Sequence, residues 1–370
     1  MSDPIIIAAG GTGGHFFPAE ALAAELLRRG HTIALMTDAR SADYATPSFA
    51  QAERFVLKGA GLAGRGVKRA AAGAWAMAAG TLQARKLLLR LRPRAVVGFG
   101  GYPSVAPMLA ARSLGGRPAL VLHEQNAVLG RANRLLARGA DALALSFATT
   151  TRVPAGTRSE IVGNPVRPAL AALAGQGFVA PQGPLRLLVL GGSLGARIFS
   201  EVVPAAVALL PPTLRGRLSV VQQCRAEDLP PVRATYEQLG IPAQLAPFFG
   251  DIAGLYDTAH LVIARAGAST VAELACAGRP AILVPLPHAI DDHQSANARA
   301  LADVGAAMPM KQPEFTPPAL AAALERMLGA PEALAAAAAA AARLAAPDAA
   351  ARLADLVLSR AEARRFQEAS

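Results

Sequence analysis

Two glycine-rich turns are the first features of this 370-residue sequence that could do chemistry. The first, Gly10-Gly11-Thr12-Gly13-Gly14-His15, follows an apolar run at 4–9. The second, Gly191-Gly192-Ser193-Leu194-Gly195-Ala196-Arg197, follows one at 185–190. A glycine turn between a strand and a helix lets backbone N–H groups close on an anion, which also feels the positive end of the helix. Neither turn is a dinucleotide fingerprint. Counted from Gly11, the third glycine of G-x-G-x-x-G is Phe16; counted from Gly192, the second is Leu194. No Gly-Lys pair occurs, which excludes a Walker A loop. Phosphate binding in another manner and a plain tight turn are the two readings each loop allows.

The elements that must position these turns read as alternating strands and helices. Apolar runs at 4–9, 31–36, 95–98, 119–123 and 142–147 in the first half, and at 185–190, 218–222, 261–264 and 281–284 in the second, are separated by helical stretches. That alternation predicts parallel βαβ units. Because both halves open with strand, glycine turn and helix, two doubly wound domains are expected, each with its own switch-point crevice. The boundary is expected at Gly163-Asn164-Pro165-Val166-Arg167-Pro168, dividing the chain into 1–163 and 164–348, with a last helix over about 349–370 available to pack back on the first domain.

Composition narrows the class. A hydrophobic fraction of 53% against 17% charged excludes a predominantly disordered chain. Cys224 and Cys276 are the only cysteines, too few for a disulfide framework or a cysteine zinc site. No stretch of about 18 strongly apolar residues and no basic leader occur, so a soluble cytoplasmic protein is expected. The net charge of +11 sits wholly in residues 1–165, which hold 20 basic and 9 acidic residues; the remainder balances at 17 and 17. An anionic partner for the first half is implied: nucleic acid, phospholipid headgroups or a phosphorylated substrate.

Taken in order, Gly10–His15, Gly100-Gly101-Tyr102, His123-Glu124-Gln125-Asn126, Gly163–Arg167, Gly191–Arg197, Ala266–Glu273 and Asp291-Asp292-His293-Gln294 resemble the bacterial MurG-type N-acetylglucosaminyltransferase family over residues 4–300. The resemblance implies an α/β fold of two Rossmann-like domains facing a central cleft, the GT-B architecture. It implies inverting transfer of GlcNAc from UDP-GlcNAc to undecaprenyl-diphospho-MurNAc-pentapeptide, converting lipid I to lipid II in peptidoglycan biosynthesis at the cytoplasmic face of the inner membrane. UDP-GlcNAc is then expected mainly on the second domain, without cofactor or metal, and other cell-wall synthesis proteins are expected as partners.

Residue by residue, the resemblance places Ser193, Ala268, Ser269, Thr270 and Arg167 around the diphosphate, Glu273 on the ribose, Phe249 at the uracil, and His293 and Gln294 at the GlcNAc hydroxyls. It places Thr12, Gly13, Gly14, Tyr102 and Asn126 near acceptor and sugar. The transfer needs a base at the acceptor hydroxyl. His15 is the first candidate, since imidazole can serve near neutral pH, and Glu124 the second. Competing structural readings exist. Thr270 and Glu273 match a capping box; His15 could cap its helix or bind phosphate; Arg167 could form a surface ion pair; Phe249 could be core. His288, Asp291, Asp292 and His293 could form a solvated loop or a metal site. His31 and His260, at apparent strand starts, read as structural.

The stretch 65–94 interleaves Lys68, Arg69, Arg85 and Lys86 with Trp75 and leucines, as a surface for an anionic phospholipid bilayer would. The alternative is a solvated basic helix with an ordinary core face. Two rival functions follow: another UDP-GlcNAc enzyme of the same architecture, such as an epimerase, and a non-catalytic nucleic-acid module. RNP-like aromatic clusters are missing, so no nucleic-acid partner is expected.

Overall fold

The computed structural model describes all residues except 1–2, 12, 42–45, 58–66, 193–194 and 370, with the backbone alone at 67–71 and 368–369. The chain divides into two units, Met1–Arg167 completed by Asp348–Ser370, and Pro168–Pro347. The division falls after Arg167 rather than after Gly163. Gly163 N still bonds to Leu145 O of the first sheet, and the Arg167 guanidinium lies 5.1 Å over the Phe17 ring. Counted by unit, the charge is more uneven than by halves: 25 basic against 13 acidic residues in the first, 12 against 13 in the second.

The first unit holds a seven-stranded parallel sheet of β1 (Ile5–Ala8), β2 (Ile33–Thr37), β3 (Glu53–Val56), β4 (Ala95–Gly98), β5 (Ala119–Glu124), β6 (Ala142–Leu145) and β7 (Ser159–Ile161), in the order 3-2-1-4-5-6-7. The second holds a six-stranded parallel sheet of β8 (Leu185–Leu190), β9 (Leu218–Gln223), β10 (Ala243–Ala246), β11 (Leu261–Ala264), β12 (Ala281–Leu283) and β13 (Ala307–Pro309), in the order 10-9-8-11-12-13. Chain direction reverses its progress across the sheet between β1 and β4, and between β8 and β11. Ligands of such sheets bind outside the carboxyl ends of those strands, and there the glycine turns and the Gly100 and Gly267 segments lie.

The strands that the apolar pattern leaves unseen are β3, β7, β10 and β13, the four sheet edges. Central parallel strands are covered on both faces and read as unbroken apolar runs. β7 is exposed throughout, and the other three edges are at best half-buried.

Strand alternation divides the first core in two. Ile5 and Ile7 face Phe16, Leu22 and Leu26 of the helix Gly13–Arg28 together with Leu353 and Val357 of the helix Ala349–Ala369. Ile6 and Val96 face Leu88 and Met108 of the helices Val67–Leu91 and Gly101–Arg112. Thus the last helix forms part of the first core, tied also by Arg29 to Asp355 and by Arg364 to Asp141 at 3.1 Å.

The helix Val67–Leu91 buries Ala84 and Leu88, while Trp75, Leu82 and Leu89, spaced seven apart on its other face, are 77, 63 and 51% exposed. Among the described residues no helix is long and apolar enough to cross a membrane.

Candidate active site

In the first unit, His15 is the third residue of the helix Gly13–Arg28, held at the switch point by the turn after β1. Its ring lies against Gly100 and Gly101, both at positive φ (82° and 67°). A Cβ on Gly101 would stand 3.5 Å from His15 Cδ2 and 3.6 Å from Nε2, so the glycine pair sets no side chain of its own against that imidazole edge. His15 Nδ1 is 2.8 Å from Gln125 Oε1. Tyr102, next to the pair, is 41% exposed. Gly13 is buried against Phe17 while Gly14 is exposed, and Gly11 N donates to Ser41 Oγ. Thr12 lies outside the described residues.

Glu124 is not placed as a base would be. It is 2% exposed. Its Oε1 accepts from Asn126 N and Nδ2 (3.0 and 3.1 Å) and its Oε2 from Gly130 N and Asn133 Nδ2 (2.8 and 2.9 Å). Four donors occupy lone pairs that a base needs free. In this arrangement Glu124 shapes the 124–133 loop and orients Asn126. Arg167 stacks on Phe17, on the first unit's own helix.

In the second unit the turn after β8 tolerates no side chain at its start: a Cβ on Gly191 would be 2.4 Å from Ala196 N. Gln223, at the end of β9, holds the turn open. Its Oε1 accepts from Gly191 N, and its Nε2 donates to Gly192 O and Pro247 O, all at 3.0 Å. Nothing in the sequence pattern marked Gln223. Its signal is a polar residue ending a buried strand beside a glycine turn. Ser193 lies outside the described residues.

After β11, the helix Ala268–Ala277 is capped by Gly267, with no side-chain cap. Thr270 is therefore already the third helical residue and Glu273 the sixth, which removes the capping-box reading. Instead Glu273 Oε2 accepts from the hydroxyl of the buried Tyr256 at 3.2 Å. The first-turn amides of Ala268, Ser269 and Thr270 point out of the helix start, and Ser269 Oγ has no hydrogen-bond partner. Beneath them Arg265 donates to Val284 O and to Gln312 Oε1 and stacks on Phe199, a framing role; burial holds its pKa below the usual guanidinium value.

Gln294 Oε1 accepts from Leu286 N at 2.9 Å, which leaves its amide group free to donate. His293 Nδ1 donates to Ile290 O, and Asp292 accepts from Ser295 Oγ. Among the described residues no three His, Cys, Asp or Glu side chains gather so as to hold a metal ion. Phe249 is 7% exposed, whereas its neighbour Phe248 is 72% exposed. Trp75, Arg85 and Lys86 are exposed on their helix; the side chains of Lys68 and Arg69 lie outside the described residues.

The family signature described as the glycosyltransferase family 28 N-terminal domain matches residues 5–145, and that described as its C-terminal domain matches 186–353. The chain is 62% identical over 356 residues to the UDP-N-acetylglucosamine--N-acetylmuramyl-(pentapeptide) pyrophosphoryl-undecaprenol N-acetylglucosamine transferase of Granulibacter bethesdensis, covering 96% of this chain and 93% of that one. It is 55% identical to the protein of the same name from Acidiphilium cryptum, over 97% of each. The crystal structure of Acinetobacter baumannii MurG superposes with a TM-score of 0.79 at 31% identity, over 96% of this chain and 99% of that one. A UDP-GlcNAc 2-epimerase from Neisseria meningitidis shares the fold alone, with a TM-score of 0.66 at 11% identity, over 96% of this chain and 100% of that one. With both units matched and relatives more than half identical along nearly its whole length, the chain belongs to glycosyltransferase family 28 and, within it, groups with the MurG transferases.

Proposed function

We infer that the chain transfers GlcNAc from UDP-GlcNAc to the C4 hydroxyl of undecaprenyl-diphospho-MurNAc-pentapeptide, producing lipid II and UDP. The observation that carries this reading is identity above half with transferases of that name along 96% or more of the chain. The site chemistry supports it. The acceptor C4 oxygen attacks the anomeric carbon, the bond from that carbon to the β-phosphate oxygen breaks, and the hydroxyl proton passes to a base. His15 is the base in this reading, because its Nε2 edge lies beside Gly101, which brings no side chain against it. UDP departs as an anion against the first-turn amides and Ser269 hydroxyl of the helix Ala268–Ala277 and the turn held by Gln223. Glu273 receives the ribose hydroxyls, and the free amide of Gln294 donates to the sugar.

Supplied with UDP-GlcNAc, the purified protein is expected to release UDP only when a lipid I analogue is present. Interconversion of UDP-GlcNAc without acceptor would instead identify an epimerase. Glu273→Gln, which keeps an oxygen to accept from the Tyr256 hydroxyl, is expected to raise the KM for UDP-GlcNAc about tenfold, the loss of roughly one charge-assisted hydrogen bond, with little change in melting temperature.

The electropositive first unit fits a lipid-borne diphosphate, and its exposed Trp75-Leu82-Leu89 stripe beside Arg85, Lys86 and Arg90 fits an anionic bilayer surface. Each basic residue near such a surface contributes about 1 kcal/mol. In this reading the protein works as a peripheral enzyme on the inner face of the cytoplasmic membrane. Trp75→Glu with Leu82→Glu is expected to reduce binding to phosphatidylglycerol vesicles at least about tenfold, with turnover of a short-chain soluble acceptor preserved. Unchanged vesicle binding would make this face a solvated helix surface.

A further inference from the structure

We propose that Gln125 and His123 are positioning residues that lock the His15 imidazole with its proton on Nδ1 and its lone pair on Nε2. The proposal rests on the reading of His15 as the base and adds what makes that nitrogen available.

Four groups form one chain of hydrogen bonds. His15 Nδ1 meets Gln125 Oε1 at 2.8 Å, Gln125 Nε2 meets His123 Nδ1 at 2.9 Å, and His123 Nε2 meets the Gly163 carbonyl at 3.0 Å. Its polarity follows from the groups that can only accept. The Gly163 carbonyl has no proton, so His123 Nε2 must carry one; a neutral imidazole then presents a bare Nδ1 to Gln125. The Gln125 amide nitrogen must face that acceptor, and it also lies 3.2 Å from the backbone carbonyl of His123, a second group that only accepts. The carbonyl end of Gln125 therefore faces His15, and His15 Nδ1 must be the donor. One proton remains on a neutral imidazole, so Nε2 is left bare, on the edge that lies against Gly101.

His123 is suited to its place. It is fully buried, and burial pushes its pKa down to about 4, with the Gly163 hydrogen bond opposing and the charge of His15 assisting. Burial thus favours the neutral ring, and a protonated His123 would turn a second donor toward Gln125 and reverse the amide. Gln125 is likewise 1% exposed. The Glu124 carboxylate on the same strand end accepts from Asn126, Gly130 and Asn133, so a neutral amide and not a charge orients the base. The device differs from a carboxylate-oriented triad, which also stabilises the imidazolium and whose loss costs about 10⁴ in kcat through the wrong tautomer.

The test reads the tautomer directly. In the full-length protein labelled with ¹⁵N-histidine, the six imidazoles are told apart by single His→Gln replacements and observed by two-bond ¹⁵N–¹H correlation at a pH where they are neutral. Wild-type His15 is expected as Nδ1–H, opposite to the Nε2–H form that free imidazole side chains favour. Gln125→Leu is expected to shift it toward Nε2–H and to lower kcat at least about tenfold (about 1.4 kcal/mol), with the KM for UDP-GlcNAc unchanged. His123→Leu is expected to lower kcat in part, and His123→Gln, which keeps one donor and one acceptor, to restore it. Nε2–H at His15 in the wild type, or unchanged kcat in Gln125→Leu, overturns the proposal. Nδ1–H at His15 together with full turnover in His15→Ala would leave the lock standing and remove His15 as the base.

Discussion

His15→Ala is expected to lower kcat by about 10²–10⁴, the range a positioned general base contributes, while the KM for UDP-GlcNAc moves little. The split follows from where the residue sits. His15 belongs to the helix after β1 in the first unit, whereas the groups read as holding the nucleotide, the turn after β8 and the helix Ala268–Ala277, belong to the second. Steady-state rates with each substrate varied in turn separate the two constants. Glu124 does not offer a substitute, since its carboxylate oxygens already accept from four donors. Turnover within a few-fold of wild type in His15→Ala would end the base assignment.

The second large effect is on stability. Leu353→Ala is expected to destabilise the first unit by about 2–5 kcal/mol, the usual cost of removing a buried leucine from a closed core. Leu353 and Val357 are fully buried in the same cluster as Ile5, Ile7 and Phe16. Calorimetry that resolves the two units should show the transition of the first moving down and that of the second staying in place, because Leu353 lies outside the second core. The same variant should lose activity on warming before wild type does, since Phe16 of that cluster immediately follows His15. A common shift of both transitions, or none, would contradict the division of cores.

How much of this was legible in the sequence differs by kind of feature. The nine central strands stand out because most of their residues are buried, and the two glycine turns mark both switch points. The four edges were invisible for the reason that makes them edges: Ser159–Ile161 carries no buried residue and so no apolar signature. Local spacing misled at Glu273, because a T-x-x-E pattern cannot tell whether its threonine is the cap, and here Gly267 caps instead. The stapling contacts of Glu124 were not legible, since Gly130 and Asn133, six and nine residues on, reach its carboxylate only once the loop is folded. Gln223 escaped notice because its partners are backbone atoms of two separate turns. The resemblance singled out Phe249, yet the exposed ring is that of its neighbour Phe248. His123 and Gln125 were visible as residue types, but the direction of their hydrogen bonds depends on the Gly163 carbonyl, some 40 residues away.

The helix Ala349–Ala369 has a consequence for synthesis. It completes the core of the first unit but is translated only after the whole of the second. On the ribosome, the side of the nascent amino-terminal sheet that carries Phe16 and Leu26 must therefore wait without Leu353 and Val357 while some 180 intervening residues emerge.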